Sequence, residues 1–240
     1  MPGQGFFRFI VYKHLFFDLD HTLWDFDTNS RETMLRIYRL FDLESRGITD
    51  FDAFYNVYNG HNDRLWGRFR KGFIKRDELR WKRMWHTLLD FQVPHTQTAH
   101  EMSSAYLEIL PTQKALIPNA KEVLEYCSSK YKLHIITNGF ETTQTQKLVQ
   151  CGLKQYFSEL ITSEKSNAIK PQRDIFLYAQ QAAGAGDANE CLMIGDALEI
   201  DVLGAMGAGW DAVYFNPGKI VHSAKPTYEI DALQALLSIV

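Results

Sequence analysis

The chain has 240 residues, 45% of them hydrophobic and 23% charged, with a formal net charge of −3. That is the composition of an ordinary globular protein, long enough for one large domain or for a core with a smaller companion. Its apolar stretches are short and interrupted, which excludes a membrane span, and its slight acidity excludes a nucleic acid polymer as a bulk electrostatic partner, though not a small anion held locally.

The N-terminal FFRFIVYKH is apolar but broken by Arg8, and no small-residue cleavage site follows. It reads as an edge segment or an extended start, not a secretion signal. Next comes HLFFDLD (14–20), the first of three short apolar runs that end in polar clusters. The others are KLHIITNG (132–139) and CLMIGD (191–196), while ELITS (159–163) and DAVYFN (211–216) match them in length and apolar content. Short runs closed by Gly, Asn or Asp suit buried strands. Helical patterns lie between them at 119–130, 140–151, 172–183 and 199–208. Alternating strand and helix implies right-handed crossovers, so the expected class is α/β with a doubly wound, Rossmann-like parallel sheet.

Residues 24–112 have another rhythm. Met34, Ile37, Tyr38 and Phe41 recur at helical spacing, as do Trp81, Met84, Trp85 and Leu88. Phe54, Val57, Tyr58 and Leu65 mark a longer helix that Gly72 ends, and a fourth helix follows Pro94 and stops before Pro111. The reading is a core of 1–23 and 113–240 with an all-helical insert at 24–112. Cys127, Cys151 and Cys191 form no CxxC pair and no complete disulfide framework, which points to a reducing cytoplasm.

Asp18 and Asp20 close the first strand. Ligands sit beyond the carboxyl ends of strands in open parallel sheets, and strand alternation puts both carboxylates on one side. Such a pair resists double ionisation. A divalent cation on Asp18 would keep it anionic and leave Asp20 as the proton carrier, the division that covalent phosphoryl transfer with acid catalysis needs. The bland alternative is a pair of loop or capping aspartates. Thr137-Asn138-Gly139 ends the second strand with a hydroxyl and backbone N–H groups suited to phosphate; alone it reads equally as a plain turn. Lys170, before Pro171 and a helix start, could offset phosphate and aspartate charge. Asp196 ends the fourth strand and Asp201 lies in the following helical turn, both of the hard oxygen type that Mg²⁺ prefers. Acids also favour helix N-termini for their own sake. Their order carries the reading, because each group follows a separate strand at its ligand-binding end.

The segments FFDLDHTL, IITNG, IKPQRDIF and IGDALEID resemble the four ordered motifs of the haloacid dehalogenase superfamily, over nearly the whole chain. The resemblance implies Asp18 as nucleophile, forming an aspartyl-phosphate, and Asp20 as acid and then base. It implies Thr137 and Lys170 on the phosphoryl group, with Leu19, Asp20, Asn138 and Gly139 completing the phosphate-binding set. Mg²⁺ is implied as cofactor, held by Asp18, the Asp20 carbonyl and Asp196, with Asp201 orienting Lys170 or the metal's waters. Ala197 stands where the family often has Ser, and His21, where it frequently has Gly, is taken as a loop residue. The helical insert matches the family's mobile cap of the first type, which excludes water and favours small phosphate esters over proteins. TLWDFD, NDRLWGRF and YFNPGK are similar to the bacterial 5′-nucleotidase branch, which makes a nucleoside 5′-monophosphate the first-choice substrate.

The basic stretch of the insert (Arg64, Arg68, Arg70, Lys71, Lys75, Arg76, Arg80, Lys82, Arg83) reads better as a solvated face than as a steering surface. Trp24 and Phe26, just past the nucleophile, are candidates for stacking a nucleobase, although hinge packing explains them equally well. A dehalogenase or a phosphonate hydrolase of the family does not need the acid at Asp20. A sugar-phosphate phosphatase or phosphomutase would keep it. A receiver-like signalling domain shares the acidic, threonine and lysine set but ends a different strand with its phospho-acceptor and has no such insert.

Overall fold

The computed structural model describes residues 12–240, so the reading of FFRFIVYKH lies largely outside the described residues. In chain order the elements are β1 (His14–Phe17), α1 (Phe26–Leu40), α2 (Phe51–Arg70), α3 (Arg76–Asp90), α4 (Thr96–Ile109), α5 (Ala120–Ser128), β2 (Lys132–Thr137), α6 (Glu141–Gln150), β3 (Phe157–Thr162), α7 (Ser163–Ser166) and α8 (Arg173–Ala183). There follow β4 (Cys191–Gly195), a π-helical turn at Leu198–Val202, α9 (Leu203–Gly207), β5 (Asp211–Phe215) and β6 (Tyr228–Ile230). The chain divides into two compact units, Asp25–Ala115 and the remainder.

The second of these is a six-stranded, all-parallel sheet of order β3-β2-β1-β4-β5-β6. The strand order reverses at β1, which pairs with β2 on one side and β4 on the other. Phe17 lies opposite both Ile135 and Ile194, so the three strands finish near one level. All four residues of β1 and all five of β4 are buried, as both faces of a parallel sheet are covered. Phe16, Phe176 and Trp210 anchor one core layer; Trp210 lies 4.5 Å from Phe16 and 5.6 Å from Phe176 between ring centroids. His14 and His134, on neighbouring strands, are buried with ring nitrogens 3.1 Å apart. The edge strand β6 is three residues long and was not among the five expected; a run so short shows no period.

The helical unit consists of α1 to α4. Asp25 and Asp50 cap α1 and α2 by accepting from the N–H groups of Thr28, and of Asp52 and Ala53. Met34, Ile37, Phe54, Tyr58, Leu65, Met84 and Leu88 are buried, whereas Trp81 and Trp85 are only partly so. The division between units falls at Trp24/Asp25 and Ala115/Leu116. Trp24 bridges to Asp20 and Leu116 within the sheet unit, while Ala115 exchanges hydrogen bonds with Asn29 and accepts from the Asp25 N–H. Both divisions therefore fall later than expected, the sheet unit running to 24 where 23 was expected and resuming at 116 where 113 was expected. No helix among the described residues is long and apolar enough to cross a membrane, and Cys127, Cys151 and Cys191 are buried and free.

Candidate active site

The strand order reverses at β1, and the carboxyl ends of β1 and β4 at such a reversal are where open α/β sheets take ligands. Asp18 follows β1 there and Asp196 follows β4. The Asp18 N–H still donates to Ile194 O at 2.9 Å, so the two strand ends are tied together where the acids begin. Thr22 bridges the two loops: its Oγ1 donates to Asp196 Oδ1 at 2.8 Å and accepts from the Asp196 N–H at 3.1 Å. His21 reaches this turn in the left-handed region, φ 62°, which accounts for a glycine being favoured there.

Lys170 is the cationic centre. Its buried ammonium donates to Asp18 Oδ1 at 2.6 Å and to Ile136 O at 2.8 Å, and it forms an ion pair with Asp201 Oδ1 at 2.6 Å. Asn138 fixes the lysine main chain. α8 begins at Arg173 with Gln172 as its cap, so Lys170 stands just before a helix start, while Pro171 lies outside the first helical turn expected for it. Asp201, from the π-helical turn, is buried. Its Oδ2 accepts from the Ala197 N–H at 3.1 Å, and it fits against Gly195, where a Cβ would collide with the carboxylate. Asp201 thus sits fixed beside Lys170.

Carboxylate oxygens of Asp18, Asp196 and Asp201 lie within 4.8 Å of one another. Burial pushes the Asp18 carboxyl well above the usual range; Lys170 draws it back, and Asp201, Asp196 and Asp20 push it up again. Asp196 is pushed up to about 7 by burial and by Asp201. Three acids against one lysine in a buried place leave surplus negative charge, and hard oxygen donors at this spacing suit a divalent cation. The Mg²⁺ expectation fits the residues present.

Asp20 is held apart from this group. Burial alone would raise its pKa, but the Lys147 ammonium, 2.5 Å from Oδ1, and the Gln144 amide, 2.9 Å from Oδ2, bring it below the usual range. The expected division of protons, Asp18 anionic and Asp20 the carrier, belongs to a site holding a divalent cation; the protein's own groups alone push Asp18 up and Asp20 down. A cation beside Asp18 and Asp196 would stabilise the anion at Asp18.

The phosphate-binding set is also altered. Thr137 Oγ1 accepts from the Gly139 N–H at 3.0 Å and from Gln144 Nε2 at 2.8 Å. The Gly139 N–H is thus committed within the loop and not free for phosphate as expected, while the Asn138 side chain is committed to the Lys170 main chain. The main-chain N–H groups of Leu19 and Asp20, by contrast, meet no acceptor among the described residues. Trp24 is fully buried with Lys147 Nζ 4.1 Å from its ring centre, so it packs and does not offer a face to a base. Phe26 is half-buried at the start of α1, in the helical unit. In that unit Arg64, Arg68, Lys82 and His86, with Leu65 and Ile74, line a cavity of about 410 Å³.

Thr22, Gln144 and Lys147 were missed in the sequence reading. The available signal was the helix ETTQTQKLVQ, which has too few apolar residues to cover a sheet without burying polar ones.

Residues 12–209 match the family described as haloacid dehalogenase-like hydrolase. The chain belongs to this family. As such a hydrolase it is 32% identical to the pyrimidine 5′-nucleotidase PynA of Streptococcus pneumoniae, over 95% of this chain and 94% of that protein. It is 30% identical to the pyrimidine 5′-nucleotidase YjjG of Escherichia coli, over 92% and 95%. Among solved structures it superposes on the HAD-hydrolase YfnB of Bacillus subtilis, crystallised with magnesium, at a TM-score of 0.86 and 28% identity, covering 95% of this chain and 98% of that one.

Proposed function

We propose that the protein is a Mg²⁺-dependent phosphatase of small phosphomonoesters, working through an aspartyl-phosphate, with a pyrimidine nucleoside 5′-monophosphate as substrate. The observation that carries it is the separation of two acids in one loop: Asp18 lies among Lys170, Asp196 and Asp201, and Asp20 is held by Lys147 and Gln144. A dehalogenase has no use for the second acid.

In this reading an Asp18 oxygen attacks phosphorus as the ester P–O bond breaks, and Asp20 gives its proton to the departing alkoxide. Water then attacks the aspartyl-phosphate, its proton passes to Asp20, and Asp18 is released with inorganic phosphate. The unpaired N–H groups of Leu19 and Asp20, the Thr137 hydroxyl and Lys170 receive phosphoryl oxygens. Asp18, the Asp20 carbonyl and Asp196 would hold Mg²⁺, which when bound supplies positive charge against the phosphoryl oxygens and the Asp18 anion.

The substrate rests on the similarity to PynA and YjjG along nearly the whole chain. The unit Asp25–Ala115, inserted between β1 and β2, is assigned as the cap; interdomain movement is described for YfnB. A screen of phosphomonoesters with Mg²⁺ tests the reading. Pyrimidine 5′-monophosphates should lead, and sugar phosphates far ahead of nucleotides would overturn the substrate. Asp18→Asn should reduce turnover to background in a folded protein, and substantial remaining activity would overturn the nucleophile.

A further inference from the structure

Lys147 and Gln144 project from one face of α6, three residues apart, and have no part in the roles assigned so far. Burying an ammonium costs several kcal/mol unless it is paired, so a lysine only 2% exposed requires an account. Lys147 meets Asp20 Oδ1 and the face of Trp24. Gln144, 1% exposed, donates one amide hydrogen to Asp20 Oδ2 and the other to Thr137 Oγ1. Both oxygens of Asp20 are therefore gripped by a single helix. The same amide, with the Gly139 N–H, fills the acceptor capacity of Thr137, so the threonine's own hydrogen must be donated elsewhere. One helix thus fixes the direction of an acid and of a hydroxyl donor, on two different loops.

We propose that Lys147 and Gln144 are positioning residues, a two-point clamp that sets the Asp20 carboxyl against the leaving-group oxygen and aims the Thr137 O–H at the phosphoryl group. The inference rests on the reading of Asp20 as the proton donor. A misplaced donor matters in proportion to how badly the leaving group needs a proton. Phenolate, with a pKa of about 10 as in tyrosine, needs it far more than p-nitrophenolate does.

The test compares kcat/KM for phenyl phosphate and p-nitrophenyl phosphate, which reports on the step that expels the leaving group. Lys147→Met should lower kcat/KM for phenyl phosphate by about 10²-fold and for p-nitrophenyl phosphate at least about ten times less. Lys147→Arg and Gln144→Leu should show the same discrimination more weakly, which keeps the test available if the methionine variant fails to fold. In an Asp20→Asn background Lys147→Met should add almost nothing, because it acts through Asp20. Equal losses on both esters, or additive losses in the double variant, would overturn the clamp. If Asp20→Asn itself fails to discriminate between the esters, the proton-donor reading falls; if it discriminates and Lys147→Met does not, the clamp alone falls.

Discussion

Asn138 grips Lys170 by its main chain: its Nδ2 donates to Lys170 O at 3.0 Å, and its Oδ1 accepts from the Lys170 N–H at 2.8 Å, across 32 positions of sequence. The reciprocal pair fixes where the lysine side chain starts. Its far end is fixed by Asp18, Asp201 and Ile136 O, so the ammonium is set from both directions.

Asn138→Ala should therefore act through Lys170. Removing both bonds leaves main-chain groups unsatisfied, at a cost of about 1–3 kcal/mol each where they are buried. A lysine displaced by about 1 Å can cost about 10²-fold in rate. Urea unfolding and steady-state kinetics measure the two effects, and wild-type kcat in the variant would contradict the link.

Gly139→Ala should disturb Gln144. A Cβ at Gly139 would stand 2.5 Å from the Gln144 amide nitrogen, and Gln144 is packed between Asp20 and Thr137. The loss expected from such overpacking is about 1–3 kcal/mol. Activity should drop with it, through the displaced Gln144. A stable, fully active Gly139→Ala protein would show that Gln144 yields freely.

Magnesium should stabilise the fold as well as support turnover. A ligand at a hundred times its Kd adds about 2.7 kcal/mol to the unfolding free energy. Asp196→Ala should abolish that increment in unfolding curves taken with and without Mg²⁺. Ca²⁺, with its looser and higher coordination, should inhibit by engaging both oxygens of Asp18. Equal rates in Mg²⁺ and Ca²⁺, or in chelator, would refute the metal role.

Acid should weaken the sheet at His134. Burial, with His14 and Lys132 adding to it, pushes this imidazole down from 6.5 to about 4. Above pH 6.5 the folded and unfolded chains are both neutral at this position. Between 6.5 and 4 the unfolded chain takes up a proton that the folded chain refuses, so stability falls as pH drops through that window and the loss levels off below it. The magnitude is about 3 kcal/mol. His134→Leu should flatten unfolding free energy against pH over this range; an unchanged slope would place the acid sensitivity elsewhere.

Much of this architecture was legible because parallel strands covered on both faces leave a dense apolar run, and HLFF, LHIIT and CLMIG are such runs. The acids Asp18, Asp20 and Asp196 were legible because they end those runs. Strand β6 was not, being too short to show a period. The engagement of Asn138 inside the protein was hidden for another reason: a hydrogen-bond partner 32 residues away leaves no mark on local pattern. Gln144 and Lys147 were obscured because polar residues on a helix read as its solvent side until the packing is known.

The position of β1 carries a consequence for synthesis. Its only neighbours are β2 and β4, and the whole of Asp25–Ala115 is translated before the first of them exists. The four helices can assemble among themselves as they leave the ribosome, while His14–Phe17 waits as an unpaired hydrophobic segment. A polypeptide that stops short of Cys191 would leave one flank of that strand bare, a ready template for aggregation.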